Sequence, residues 1–386
     1  MADVNGFLLG AGASFELGMP LVDELSVNFK TALLRTIDKP YYKCPVEIRK
    51  VVESLLSDAD LSYEEILGRI EIEIQRNHAP DLHNEWHWLL GRYIEAIYFL
   101  LLECHQRNIE YVKERLDLFK PLKLYSKDQP LWVFSLNHDV LFEIICNYLK
   151  IPIKFGFHDE TQIRGLTFQR LTSENMAANQ FAFFQNSNGV NLVKLHGALD
   201  LFVQGNKKDY LKLTNSASPF DILSDIASLI KNDAARKDFG VRVANEVTYN
   251  DESGELQFLR MSIMSGKHKY SKRLQHNLDE WFLKIFQGHI NHVTHLYAIG
   301  YSFGDPHINN AVYDWLAFAP SRKLTIVDPN IGKVPASFRH LKDQIYIKRL
   351  GFLRFLNQDA RKFILLKISL FEKARSLSRR IFTRRK

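Results

Sequence analysis

Short apolar runs of strand length recur at wide spacing along the chain, and each one ends where glycine or polar residues begin. Runs of this kind are typical of strands that are buried on both faces of a parallel sheet. The pattern predicts such strands at Gly6–Gly10, Leu131–Leu136, Asn191–Leu195, His295–Gly300 and Lys323–Val327.

Between these runs, apolar residues recur every three to four positions, which is the spacing of one face of a helix. The predicted helices are Val46–Leu56, Tyr63–Ile74, Glu85–Leu118, Val140–Leu149, Phe220–Ile230, Arg273–Phe286 and Ile308–Phe318. Strands that alternate with helices predict an α/β fold with a Rossmann-like, doubly wound, mostly parallel sheet.

The strands are unevenly spaced, because far more residues separate the first two than one crossover helix needs. We therefore predict a helical insertion at residues 23–128 and a second, mixed insertion at 201–291. The sheet core would then comprise residues 1–22, 129–200 and 292–350, followed by a C-terminal helix and basic tail at 351–386.

Composition and charge exclude several classes of protein. The formal net charge is +7, and the last 14 residues, from Lys373, hold seven Lys and Arg and no acid, so the preceding chain is formally neutral. This tail is either a solvated end or a contact for nucleic acid or an acidic partner. Three widely separated cysteines predict no disulfide framework and no zinc site. With no leader and no apolar run long enough to span a bilayer, we expect a cytoplasmic protein without membrane attachment.

The first candidate motif is Gly10–Ser14, G-A-G-A-S, directly after the first predicted strand. A glycine pair at a strand-to-helix turn lets the backbone approach a ligand closely, and its amides then point at a phosphate. Phe15 stands where a third glycine of the dinucleotide fingerprint would be, which weakens a dehydrogenase interpretation. The alternative is a plain tight turn.

Two further motifs follow the second and third predicted strands. Asn137 in S-L-N-H-D offers a donor and an acceptor to ribose hydroxyls or a carboxamide, and Asp139 could accept from an amide. His196 in L-H-G could move a proton near neutral pH. The alternatives are structural: Asn137 turns the chain, Asp139 caps the next helix, and His196 is an ordinary strand-end histidine.

The last two motifs end the fourth and fifth predicted strands. Gly300 and Ser302 in I-G-Y-S-F-G-D suit a close approach to phosphate or ribose, and Asp328 in I-V-D-P could accept both hydroxyls of an adenosine ribose. Ordinary turn chemistry is the alternative for both. The polar clusters all follow strands, and ligands of open α/β sheets bind at that edge.

In this order the motifs G-A-G-A-S, S-L-N-H-D, L-H-G, I-G-Y-S-F-G-D and I-V-D resemble those of the sirtuin superfamily. The resemblance covers the predicted sheet and implies NAD as substrate, with His196 as general base and with Asn137 and Asp139 holding the nicotinamide ribose and carboxamide. We expect Asn137 and His196 to be the catalytic residues, with Asn137 positioning the ribose and water. It implies NAD-binding roles for Gly10, Ala11, Gly12, Ser14, Pro20, Asp139, Gly300, Ser302 and Asp328.

The chain departs from protein-deacylating sirtuins, since it cannot build their four-cysteine zinc ribbon and lacks their aspartate–phenylalanine–arginine stretch near Pro20. It looks more like the zinc-free sirtuin-like proteins of bacterial antiphage defence. That resemblance implies NAD hydrolysis without a metal, a homo-oligomer, and a partner such as a HerA-type ATPase or an Argonaute-like protein. The alternative is a non-catalytic subunit that binds NAD or ADP-ribose and regulates a defence complex; a deacylase or ADP-ribosyltransferase is a weaker hypothesis.

Overall fold

The computed structural model describes residues 3–35, 45–205, 209–214, 218–263 and 279–383. Its strands, in chain order, are β1 (Asn5–Leu9), β2 (Leu131–Ser135), β3 (Ile153–Lys154), β4 (Glu160–Ile163), β5 (Leu166–Leu171), β6 (Val190–Lys194), β7 (Gly197–Gln204), β8 (Asp209–Leu213), β9 (Glu246–Asn250), β10 (Leu256–Ile263), β11 (His295–Ile299), β12 (Lys323–Val327) and β13 (Ile345–Lys348).

The helices surround two sheets. They are α1 (Ala11–Phe15), α2 (Val22–Leu34), α3 (Val46–Ser57), α4 (Tyr63–Arg76), α5 (Pro80–Arg107), α6 (Ile109–Lys113), α7 (Leu141–Leu149), α8 (Ser173–Ala177), α9 (Asp221–Lys231), α10 (Ala234–Phe239), α11 (Asp279–His289), α12 (Pro306–Phe318), α13 (Phe352–Leu356) and α14 (Lys362–Thr383). Short 3-10 helices cover Leu116–Tyr125, Ile290–His292 and Ala336–Gln344.

The first sheet is parallel and doubly wound. Its seven strands lie in the order β13-β12-β11-β1-β2-β6-β3, and every neighbouring pair is parallel. Without the short edge strand β3, this is the Rossmann order, with the reversal of strand order between β1 and β11. The five predicted strands are all present in this sheet, so the predicted fold class is confirmed; β13 and β3 were not predicted.

Successive residues of the parallel strands face two different cores. Phe7 and Leu9 of β1 belong to one apolar cluster and Leu8 to the other, and all three are buried. In β2, Val133 and Phe134 divide in the same way. Burial on both faces explains why these strands are continuous apolar runs in the sequence.

A mostly helical segment, α2 to α6, separates β1 from β2, in the range predicted as a helical insertion. The predicted continuous helix Glu85–Leu118 is wrong, because α5 ends at Arg107. The side chain of Asn108 donates to the carbonyls of Cys104, at 2.8 Å, and Gly18, at 3.1 Å. An Asn side chain that bonds to nearby backbone competes with helix continuation and here ends the helix.

The second sheet is antiparallel, with the order β4-β5-β8-β7-β10-β9. Its strands β4 and β5 precede residue 201, where the sequence places the start of the second insertion, and β7 crosses that residue. The chain passes from β6 of the parallel sheet into β7 of the antiparallel sheet through Leu195 and His196 alone. Residues 273–278 of the predicted helix Arg273–Phe286 lie outside the described residues, and α11 covers the rest.

The large aromatic side chains of α5 pack into the core of the protein. Trp86, Tyr93 and Tyr98 are all buried. Large exposed apolar side chains occur instead on one outer face of α14, at Phe363, Leu366, Leu370 and Leu377. Within the described ranges, none of the helices combines the length and the apolar character that crossing a bilayer requires.

Candidate active site

A large cavity opens at the carboxyl ends of the parallel strands, over the reversal of strand order between β1 and β11. Its volume of about 1340 Å³ is above the ~300–1,000 Å³ of ordinary ligand pockets and leaves room for a dinucleotide. All eleven residues singled out in the sequence line it: Gly10, Ala11, Gly12, Ser14, Pro20, Asn137, Asp139, His196, Gly300, Ser302 and Asp328.

Two glycine-containing loops interlock at the floor of this cavity. A Cβ atom on Gly300 would lie 2.3 Å from the amide nitrogen of Ala13 and 2.5 Å from the Cα of Gly12. A Cβ atom on Gly12 would in turn lie 2.7 Å from the Cα of Gly300. Gly300 also has a φ of +60°, which side chains disfavour. Glycine is therefore required here by the packing of one loop on the other.

The amides of the first loop donate to protein carbonyls. The Gly10 amide donates to the Ile299 carbonyl, the Gly12 amide to the Gly300 carbonyl, both at 3.0 Å, and the Ala13 amide to the Gly10 carbonyl at 2.9 Å. The sequence predicts that these amides point at a phosphate. In this conformation they instead tie the loop to β11 and to itself.

Asn137 joins the loop after β2 to the first glycine loop. Its Nδ2 donates to the Gly10 carbonyl and to the Ser14 hydroxyl, both at 2.9 Å. Both bonds use the nitrogen of the side-chain amide. The residue thus holds G-A-G-A-S in place, and its amide oxygen is the atom of this side chain with the chemistry to accept from a ribose hydroxyl.

His196 stands at the corner between the two sheets. It is 6% exposed and lines the cavity. Its Nε2 lies 3.2 Å from Oδ2 of Asp305, and its ring centroid lies 6.4 Å from that of His138. Gly197 follows with a φ of +74°, and a Cβ there would lie 1.9 Å from the Ser262 carbonyl oxygen. The glycine beside the histidine therefore allows β10 to approach closely.

Asp139 is fixed from two sides. Its Oδ1 accepts from the amide of Leu141, the first residue of α7, at 3.0 Å, although the N-cap position itself is occupied by Val140. Nζ of Lys194 donates to the backbone carbonyl of Asp139.

Lys194 also belongs to a buried cluster of charges. Oε1 of Glu143 lies 3.5 Å from Nζ of Lys194 and 3.0 Å from Nζ of Lys212. Although burial opposes it, the two lysines hold the pKa of Glu143 below its ordinary value.

The far end of the cavity contains Ser302 and Asp328. Oδ1 of Asp328 accepts from the Asn330 amide at 2.7 Å, which orders the turn after β12. Phe303, next to Ser302, has a φ of +59°, a conformation that costs energy in a bulky residue. The ring centroid of Phe303 lies 5.6 Å from that of Phe338. Strained backbone of this kind clusters at functional sites.

The C-terminal helix α14 closes one side of the cavity, which the sequence does not predict. The Arg375 guanidinium donates to the carbonyls of Phe15, at 3.1 Å, and Met19, at 2.9 Å, and lies 4.3 Å from the Phe15 ring centroid.

A second arginine of α14 forms an ion pair. The guanidinium of Arg379 lies 2.8 Å from Oδ2 of Asp23. Although partial burial opposes it, Arg379 lowers the pKa of the Asp23 carboxyl. Part of the predicted basic tail thus packs against the glycine loop, while the side chains from residue 380 onward lie outside the described part of the chain. The helical spacing of Ile364, Ile368, Phe371 and Arg375 is the signal from which this packing could have been inferred.

Glu16 is a further cavity residue that the sequence does not indicate. Burial raises its pKa from the ordinary 4.5 to about 7, against the effect of the Leu353 amide, which donates to Oε2 at 2.8 Å, and Glu372 raises it further. The folded state therefore holds a proton on Glu16 between pH 4.5 and 7 that the unfolded chain has lost. The stability gained from this protonation is complete below pH 4.5 and is lost as pH rises through 7.

We expect Glu16→Gln to remove this pH dependence, because glutamine can accept from the Leu353 amide and never ionises. A pKa of about 7 corresponds to at most about 3 kcal/mol in the free energy of unfolding at higher pH. In urea unfolding, the free energy of unfolding of the variant relative to that of the wild type should be higher at pH 8 than at pH 5. The exposed Glu47→Gln is the control and should follow the wild type, whereas parallel curves for Glu16→Gln would contradict the expectation.

Among the residues with described positions, there is no group of three or more His, Cys, Asp or Glu side chains that could hold a metal ion. Cys104 and Cys146 are free, and Cys44 lies outside the described residues.

The strand order and the cavity at its reversal define a Rossmann-type α/β protein with a dinucleotide-sized crevice. No protein-family model matches the sequence, and a search of curated proteins found no match.

Solved sirtuin structures are among the chains that resemble this one. A Sir2 complex with an inhibitor, 2′-O-acetyl-ADP-ribose and a deacetylated p53 peptide is 11% identical, with 92% of this chain and 91% of that chain covered and a TM-score of 0.34. A complex of Sir2, a p53 peptide and NAD+ is 11% identical, with 92% and 91% covered and a TM-score of 0.33. A structure on the mechanism and regulation of Sir2 enzymes is 12% identical, with 97% and 94% covered and a TM-score of 0.35.

Proposed function

We propose that this protein hydrolyses NAD, releasing nicotinamide and leaving ADP-ribose or a cyclic form of it. The observation that carries the proposal is that the glycine loop, Asn137 and His196 face one cavity of dinucleotide size. That cavity lies at the switch point of a Rossmann sheet, where such sheets bind dinucleotides.

The proposed reaction breaks the bond between the nicotinamide nitrogen and the ribose carbon. The electron pair stays with nicotinamide, which is cationic in NAD and leaves neutral, so no acid is needed. The positive charge that develops on the ribose needs a polar, preorganised surrounding, and water completes the reaction. We assign His196 to accept the proton from that water or from a ribose hydroxyl, and Asn137 to position the ribose and water.

The adenosine end would lie near Gly300, Ser302 and Asp328. A carboxylate at the end of the strand next to β11 suits the two hydroxyls of an adenosine ribose and repels a 2′-phosphate. This supports NAD over NADP as the substrate.

The test is to incubate the purified full-length protein with NAD in water enriched in oxygen-18 and to measure nicotinamide and ADP-ribose by mass spectrometry. Hydrolysis is expected to give nicotinamide and labelled ADP-ribose, and cyclisation would give nicotinamide with an unlabelled cyclic product. NADP should be turned over more slowly. Binding of NAD without nicotinamide release would overturn the proposal and favour the non-catalytic regulatory subunit.

We further propose that the reaction serves antiphage defence by depleting cellular NAD, in a homo-oligomer or with a HerA-type ATPase or similar partner. This part rests on the resemblance of the sequence motifs alone. Bacteria that express the protein should lose NAD after phage infection, and bacteria that express the Asn137→Ala variant should keep it.

A further inference from the structure

The carboxylate of Asp305 bridges a helix terminus and the candidate catalytic histidine. Its Oδ1 accepts from the amides of His307, at 3.0 Å, and Ile308, at 3.2 Å, and so caps α12. Its Oδ2 lies 3.2 Å from Nε2 of His196, and the two side chains are only 14% and 7% exposed. The two oxygens therefore have two different tasks.

The loop that presents Asp305 is held rigidly. The Tyr301 hydroxyl donates to Oδ1 of Asn309 at 2.8 Å, and Nδ2 of Asn309 donates to the Phe303 carbonyl at 2.8 Å. The Asn309 amide donates to the Asp305 carbonyl at 3.0 Å. A carboxylate on a locked loop keeps its geometry when a charge develops beside it, which is what electrostatic preorganisation requires.

We propose that Asp305 is the positioning residue of His196. Oδ2 lies within reach of Nε2, at 3.2 Å, although the two groups are not aligned as a hydrogen bond in this conformation. Once aligned, the carboxylate accepts the hydrogen of Nε2 in the neutral imidazole, so that Nδ1 carries the lone pair and takes the proton. The same carboxylate then stabilises the imidazolium that forms. The role of Asp305 in catalysis rests on the proposed function. Its effect on which ring nitrogen of His196 carries the hydrogen does not.

Other titratable groups line the cavity around the histidine, and they bear on its ionisation. They are His138 and Asp139 in the loop after β2, and His307 at the start of α12. Oδ2 of the Asp305 carboxylate lies 3.2 Å from Nε2 of the imidazole. Its removal should therefore have a larger effect on the tautomer than changes at these neighbours.

Two variants separate the two tasks of Asp305. Asparagine and serine are both good N-cap residues, so Asp305→Asn and Asp305→Ser should keep α12 capped and change the free energy of unfolding by less than about 1 kcal/mol. The amide nitrogen of asparagine would donate to Nε2 and so favour the opposite tautomer. The serine side chain is too short to serve both the cap and the imidazole.

The measurement is the nitrogen-15 spectrum of His196 in the full-length protein, assigned by its loss in His196→Ala. The wild type should show the hydrogen on Nε2, and Asp305→Asn should move it to Nδ1. In Asp305→Ser the His196 titration midpoint should fall by about 1 pH unit, as expected for the loss of a neighbouring opposite charge. A hydrogen on Nδ1 in the wild type, or a tautomer and midpoint that neither variant changes, would overturn the proposal.

Nicotinamide release gives a second measurement. Both Asp305 variants should lower kcat at least about 10-fold with little change in KM, since an ill-oriented base loses part of its catalytic effect. In a His196→Ala background the Asp305→Asn change should have no further effect, because residues that act through one another are not additive. An equal further loss in that background would contradict the positioning role. A protein that never releases nicotinamide refutes the proposed function, while the spectrum still decides the tautomer.

Discussion

His196→Ala is expected to lower the rate of nicotinamide release from NAD by about 10²–10⁴-fold, the range that general acid–base groups contribute. The histidine lines the cavity and is nearly buried at the corner between the two sheets. Alanine fits that position without a clash and removes the group that takes the proton. The loss should appear in kcat, measured by the release of nicotinamide at saturating NAD.

The control is His340→Ala, which removes an exposed histidine that bonds to the Tyr313 hydroxyl and lies outside the residues that line the cavity. It should keep the wild-type rate. NAD should still raise the melting temperature of His196→Ala, since the cavity is otherwise intact. Nicotinamide release at the wild-type rate by a folded His196→Ala protein would remove His196 from the mechanism.

The sequence is most informative where one physical effect dominates. The strands β1, β2, β6, β11 and β12 are buried on both faces, so each is a continuous apolar run with near-correct bounds. Their polar ends also meet at one edge, because strands of a parallel sheet all point the same way. This is why the candidate residues of the five motifs could be grouped before their positions were known, whereas Pro20 was indicated by the resemblance alone.

The antiparallel sheet could not be predicted in the same way. It pairs β7 with β10, whose residues Gln204 and Leu259 face each other across a long segment of chain. Such pairing is set by tertiary contacts and not by a local pattern. The break of α5 at Asn108 has a similar cause, since the side chain bonds to the distant Gly18 carbonyl as well as to its own helix.

The chemistry of single side chains was the hardest to predict. Asp305 is the last residue of the motif I-G-Y-S-F-G-D. Its contact with His196 nevertheless arises only because the end of β6 and the loop after β11 approach each other in the fold. Arg375 belongs to a basic tail, and a cluster of positive charges does not show that one of them faces inward to the glycine loop. Glycines predicted to leave room for a ligand proved to leave room for another loop.

Gly300→Ala is expected to lower the free energy of unfolding by about 3 kcal/mol or more. A φ of +60° costs a residue with a Cβ about 1–2 kcal/mol, and forcing an extra carbon into packed surroundings adds about 1–3 kcal/mol. Here the new atom would meet backbone at 2.3 Å from Ala13 and 2.4 Å from Gly12, which no side-chain rotation can relieve. Urea unfolding followed by circular dichroism measures the loss, and NAD binding should weaken as the two loops separate.

Gly240→Ala is the matched control, because Gly240 has a φ of +66° but a Cβ added there would meet no atom within 4 Å. It should lose only the same backbone cost of about 1–2 kcal/mol and keep its NAD binding. The difference between the two variants then measures the interlocking of the loops after β1 and β11. Equal losses in both variants would mean that the contact between Gly12 and Gly300 yields easily, and that the floor of the cavity is not held by packing of these loops.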